Sequence, residues 1–408
     1  MKNKNISFKL NPNRIKYLMN LYSLNRDEFI ELIHGNRKRI IFTTNQLKHA
    51  LIKKTDVELN VIKLIDKTFN KGLTWYISER NLPSSKQSSI FFRKDSFNSE
   101  LDFESKKKIN EFEQKKIELQ TLCKFIDYNP KRILNSYRLE NNPRDIANNI
   151  RYLFSEIESK LIKEKHINRP RSEMEYLRNS IRVLDSLNIF VFEFIETWNK
   201  KNKATFNGYF SKSNFIVLKR QDSLRREILT LFHELGHYLL NHEEIDYISE
   251  KDFLQQSNIE KWCYSFSFYF LLGSSYAEFK NLDNAAEINN FNKKYIDSLY
   301  NKTYLSQSAL YTRLRIENKI SQKDYDIQID RLNTYYKMSQ LKKKEQARID
   351  REIAKEQGRK IIAIKKPIIS DLFKEIVKIN YFEGNINESR LRDYLHISDK
   401  KSIDTVIY

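Results

Sequence analysis

Two histidines and a glutamate stand at positions 233, 234 and 237 of the run REILTLFHELGHYLL, which begins at Arg225. On an α-helix His233 and His237 lie one turn apart and point the same way, so both imidazoles can reach a single tetrahedral ion. Glu234 sits beside the first histidine, rotated off that axis. There a carboxylate can hold a metal-bound water and take its proton while the ion polarises a carbonyl under attack. Leu231, Phe232, Leu235, Tyr238 and Leu239 surround the trio. Burying two imidazoles and a carboxylate among them without partners would be costly. The spacing therefore predicts hydrolytic metal chemistry on Zn2+, with Glu234 as general base and His233 and His237 as ligands.

A catalytic zinc takes a third protein ligand and leaves its fourth position to water. The extended HExxHxxGxxH pattern would need Gly and His where this chain has Leu240 and Glu243. His242 is accordingly expected at the helix end or on the surface. Glu243, Glu244, Glu250 and Glu260 are candidates for the third ligand. Glu260 is chosen because it opens the strongly apolar EKWCYSFSFYFLLG. The alternation in SFSFYF also permits a strand there, which would leave Glu260 without a supporting element. Tyr264, Tyr247 and His242 are candidate oxyanion partners, and Cys263 reads as a small core residue.

The elements that must position these groups come just before and after them. EYLRNSIRVLDSLNIF reads as a helix running into the β-rich IFVFEFI, and FNGYF and FIVLKR read as further short strands. Either of the last two could offer an edge for pairing with an extended substrate. The metal helix follows directly. This order predicts an α+β, mostly helical chain with a zincin-like core around a small β-sheet.

FIVLKR, a polar break, a helix into HELGH and a glutamate opening a second apolar helix together resemble the ImmA/IrrE family of zinc metallopeptidases. In that second helix Glu260, Phe266 and Leu271 match the family pattern, and Ser267 stands for its small residue. Cys263 and Tyr264 replace Ala-Asn, and Gly273 stands where Pro is usual. The resemblance is most specific from about Ile181 to Gly273. It implies that His233, His237 and Glu260 hold zinc and that Glu234 is the base. It also implies a substrate: a helix-turn-helix DNA-binding repressor or antitoxin, cut at a limited site to control transcription.

Toward the N-terminus, Ile15, Leu18, Met19 and Tyr22 mark one buried helix face. Asn25 with Glu28 forms a capping box before a second helix, and Thr55 with Glu58 repeats the arrangement before VIKLIDKTF. TNQLKHALIKK supplies a third helix. These short helices suit a helix-turn-helix unit of the XRE type, with Lys38, Arg39, Lys48, Lys53 and Lys54 as phosphate partners on DNA. SSIFFRK reads as a short strand, and Ile109, Phe112, Leu119, Cys123 and Ile126 keep near-heptad spacing on a long helix. Beyond the site, LSQSALYTRLRIENKISQKDYD reads as two short helices capped by Ser306 and Ser321. The basic LKKKEQARIDREIAKEQGRK and a helical stretch turning at Gly384 follow. The expected organisation is a helix-turn-helix-like domain over 1–82, linker and long amphipathic helices over 83–174, a metallopeptidase core over 175–280 and a C-terminal helical region over 281–408.

The formal charge of +20 in 408 residues favours an acidic partner, nucleic acid or protein. Two distant cysteines and the absence of a signal-like or membrane-length apolar run point to a soluble cytoplasmic protein with no membrane partner. Two other readings compete with the protease. In one, the chain is a DNA-binding regulator with a structural or sensory metal, but a purely structural site has no need of Glu234. In the other it is a small-molecule zinc hydrolase, which the basic multidomain layout disfavours.

Overall fold

The strand Phe190–Phe194, in which aromatic residues alternate with Val191 and Glu193, lies at one end of the sheet that precedes the helix bearing HELGH. The computed structural model describes residues 7–34, 49, 52–53, 55–82, 101–196, 203–243, 257–281, 290–358, 366–398 and 402–403. Residues 1–117 with 201–205 form one compact unit, and 118–200 with 206–408 form another.

In the first unit, β1 (Ser7–Lys9) and the helices α1 (Pro12–Tyr22) and α2 (Arg26–His34) precede β2 (Asp56–Glu58), α3 (Leu59–Phe69) and α4 (Leu73–Ile77). Asn11 caps α1 ahead of Pro12. Ile15, Leu18 and Tyr22 are buried, as their spacing requires. The Asn25 side chain accepts from Glu28 N at 2.9 Å, and the Glu28 carboxylate accepts from Asn25 N at 2.8 Å. The second capping box does not form. Asp56–Glu58 pairs antiparallel with Ser7–Lys9, and Glu58 enters α3 with no side-chain cap. Extended pairing holds the backbone that the box would have turned. The predicted helix over 44–54 and the strand SSIFFRK lie largely or wholly outside the described residues, as do Lys38, Arg39, Lys48 and Lys54. Lys53 is exposed. The long helix α5 (Phe103–Phe125) begins in this unit and ends in the other.

The second unit is built on α6 (Pro143–Lys163), α7 (Glu173–Ser186), β3 (Phe190–Phe194), β4 (Gly208–Ser211), β5 (Phe215–Lys219), α8 (Leu224–Leu240) and α9 (Asn258–Leu272). The sheet order is β3-β5-β4, with β3 parallel and β4 antiparallel to β5. The outer edge of β3 is covered by chain returning from the C-terminal region. Glu193 N donates to Ile368 O and Ser370 N to Val191 O, both at 2.9 Å. Among the described residues β4 is the strand at the other end of the sheet. It lies next to α8, which also packs along β5 and α9.

After α9 come α10 (Tyr276–Lys280), α11 (Asn290–Lys302), α12 (Gln307–Ile316), α13 (Gln322–Glu356), α14 (Asp371–Phe382) and α15 (Glu388–Leu395). Ser306 and Ser321 cap α12 and α13 through their hydroxyls, as expected. The second of that pair is not short. No Gly or Pro stands between Ser321 and Gly358, so α13 runs on for 35 residues through the basic run. Among the described residues the chain is mostly helical with two small sheets, which is compatible with an α+β class.

Candidate metal centre

Each end of α8 is tied down by an arginine. Near its start the Arg225 guanidinium donates to the carbonyls of Tyr300, Thr303 and Leu305 at 2.6–2.9 Å, capping the end of α11, and pairs with Glu173 at 2.6 Å. At its end Asn241 turns left-handed with φ of 50°. There Arg132 donates to Tyr238 O at 2.5 Å and lies over the Tyr238 ring, while Tyr137 N donates to Leu239 O. Positive charge at the C-terminal carbonyls suits the helix dipole.

The second helix, α9, is capped by Ser257, whose hydroxyl accepts from Glu260 N at 3.2 Å, placing Glu260 in the first turn. SFSFYF is helical. Trp262, Phe266 and Phe270 follow one another at four-residue steps, with the first two rings stacked, and apolar contact on most sides buries the helix. The alternation came from an all-round apolar helix. Close approach of α8 to α9 depends on Gly236, where a Cβ would stand 3.1–3.2 Å from the Cα, Cβ and Sγ of Cys263. At the end of α9, Gly273 has φ of 51°, and a Cβ there would overlap the Arg151 guanidinium, which itself donates to Phe270 O. The residue in place of the usual proline thus accommodates an arginine from α6.

These two helices bring His233, His237 and Glu260 together. His233 Nε2 lies 3.0 Å from Glu260 Oε2, His237 Nε2 lies 3.1 Å from Glu260 Oε1, and the two Nε2 atoms are 3.1 Å apart. All three side chains are buried, and among the described residues they form a group able to hold a metal ion. Ligands about 2.0–2.1 Å from a tetrahedral ion stand roughly 3.3 Å from one another. The observed separations fit that requirement. Burial would raise the Glu260 carboxyl, but hydrogen bonds and charge from His233 and then His237 overcome it and hold the group well below the usual carboxylate range.

Glu234 is wholly buried one position along from His233. Its Oε1 lies 3.1 Å from where a Cβ on Gly208 would be, and Thr230 Cγ2 is closer still at 2.8 Å. Strand β4 therefore passes directly against the general-base candidate because Gly208 has no side chain. The Gln221 side chain donates to Thr230 Oγ1, and Gln221 N donates to the Glu227 carboxylate. Burial pushes the Glu227 carboxyl up to about 7, against the opposing pull of Arg220 and the Gln221 amide. Arg220 also forms a two-pronged pair with Glu193 of β3, whose carboxylate accepts from Ile368 N.

Other candidates fall elsewhere. Glu243 accepts from Ser211 Oγ and Lys212 N, clasping the β4–β5 turn to the end of α8. His242 follows the helix end, its amide donating to His237 O. Tyr264 and Cys263 are buried in α9, whereas Glu244, Tyr247 and Glu250 lie outside the described residues. Sequence reasoning missed Arg132, Arg225, Gly208 and Gly236. The glycines carried a usable signal, since a chain with only 7 glycines keeps one inside HELGH and one in the strand run FNGYF.

Residues 185–287 match the peptidase M78 family model, described as the IrrE N-terminal-like domain. No curated protein and no solved structure matches the chain. The matched span holds β3, β4, β5, α8 and α9, and so all four residues of the centre. The match supports a metallopeptidase reading for this part of the chain, which is similar to the ImmA/IrrE family.

Proposed function

We propose that this chain is a regulatory zinc-dependent endopeptidase with a zincin-like core, acting in the cytoplasm on a helix-turn-helix DNA-binding repressor or antitoxin to control transcription. The observation that carries the chemistry is the convergence of His233, His237 and Glu260 at 3.0–3.1 Å with Glu234 beside them. Zinc in this set would supply a Lewis acid for a peptide carbonyl and an acidified water. The chain's own part is to orient and to move protons. Glu234, held against β4, takes the proton of the attacking water on its carboxylate and hands it to the departing amine. As the sheet edge beside α8, β4 suits main-chain pairing with an extended substrate that passes Glu234. The resemblance supports the repressor as substrate, and an XRE-type N-terminal domain would dock DNA or that repressor. The two cysteines in reduced form and the absence of any described helix long and apolar enough to cross a membrane support the location.

The test compares wild type with Glu234→Gln, measuring bound zinc and cleavage of helix-turn-helix repressors encoded near the gene. One zinc in both proteins and cutting by wild type alone is the expected result. Zinc in both with no cutting by either would favour a DNA-binding regulator whose metal is structural or sensory.

A further inference from the structure

Helix α13 leaves the core after its second turn. Tyr325, Gln328 and Ile329 are buried, but from 333 to 353 every residue is exposed or half-exposed, with Tyr335 at 74% and Leu341 at 64%. At 100° per residue, Lys337, Lys344, Arg348, Arg351 and Lys355 fall within about 40° of one line, spread over roughly 27 Å of helix. All five are exposed. Among the described residues only Arg348 of the five has an ion pair, to Glu345 at 2.7 Å and Glu352 at 4.0 Å. The acids of this stretch, Glu345, Asp350, Glu352 and Glu356, lie off the line. A helix that is merely solvated alternates its charges along each face. Here five of the seven cations between 337 and 356 fall on one side, with Lys342 and Lys343 elsewhere on the helix.

We infer that this face of α13 is a binding surface for the phosphate backbone of duplex DNA, independent of base sequence. A linear row of exposed cations matches a linear row of phosphates, and the chain's +20 charge adds long-range attraction. An anionic membrane fits less well. The apolar side chains Tyr335, Met338, Ile349 and Ile353 are interrupted by Lys342 and Gln346, leaving no continuous face to enter a bilayer. The surface starts near Asp222, just ahead of α8: burial first and then the Asp222 carboxylate raise the Tyr336 hydroxyl, which places the two side chains near one another.

The experiment measures binding of a fluorescent 30-base-pair duplex of arbitrary sequence by anisotropy across a salt series. It compares the full-length wild type with a variant carrying Lys337→Gln, Lys344→Gln, Arg348→Gln, Arg351→Gln and Lys355→Gln. Five phosphate contacts predict a log–log salt slope steeper in wild type by about 4.5, so doubling the salt costs wild type roughly 20-fold more affinity than the variant. Far-UV circular dichroism and metal content check that the variant is folded, and a Lys→Arg variant at 337, 344 and 355 should bind like wild type. Equal slopes in wild type and the folded glutamine variant would overturn the inference. So would wild-type binding to phosphatidylserine vesicles with none to the duplex.

Discussion

At the residue scale, Glu260 and Gly208 do different jobs for the same centre, and the difference is measurable. Glu260 is the one anionic member of the ligand group, so Glu260→Gln should lower zinc affinity by more than the roughly 10–100-fold typical of outer-shell changes. Competition with a chromophoric chelator reads this directly, and unchanged affinity would remove Glu260 from the ligand set. A Cβ on Gly208 would meet Glu234, Thr230 and the Val217 carbonyl. Gly208→Ala should therefore keep its zinc while kcat for cleavage drops roughly 10- to 100-fold, as displacement of a catalytic group by a fraction of an ångström to an ångström commonly does. Loss of zinc in that variant would show that the strand supports the ligands instead.

At the element scale, the centre exists because two helices meet at a fixed distance and one is anchored at both ends. Gly236→Ala puts a methyl group 3.1 Å from backbone as well as side chain of Cys263, so α9 must shift. The expected cost is about 1–3 kcal/mol, seen as a lower urea midpoint, together with weaker metal binding because Glu260 rides on α9. Arg225→Met strips three carbonyls of their donor and should destabilise by about 1–3 kcal/mol. If the urea midpoint of Arg225→Met matched wild type, water would be replacing the guanidinium and the anchor would be dispensable.

Considered as a whole, the molecule carries its excess positive charge outside and a few carboxylates inside, which shapes its response to pH. Burial pushes the Asp185 carboxyl up to about 7, outweighing the bonds it accepts from the Ser370 hydroxyl and Asp371 N. Glu227 is raised in the same way. A carboxyl raised in the folded state binds more protons there than in the unfolded chain between about pH 4 and 7, so its contribution to stability falls as pH rises through that window. Urea midpoints of wild type should therefore decline from pH 5 to 8, and Asp185→Asn should decline less. Parallel curves for the two proteins would mean that Asp185 stays ionised throughout.

The sequence alone determined what is local in the chain. The 3.6-residue period placed both histidines on one helix face, and hydroxyl and amide caps at Asn25, Ser306 and Ser321 marked helix starts, because those signals act within a few residues. Strands 190–194, 208–211 and 215–219 were legible from their apolar runs. Decisions that need partners distant in the chain came only from the tertiary structure. Glu260 meets both histidines because Gly236 lets α9 close on α8, whereas Glu243 clasps the β4–β5 turn instead. Thr55 and Glu58 carry a capping pattern, yet pairing with Ser7–Lys9 overrides it. Which strand would be the edge was likewise open until residues 368–370 covered β3, since pairing depends on distant segments meeting rather than on the composition of either.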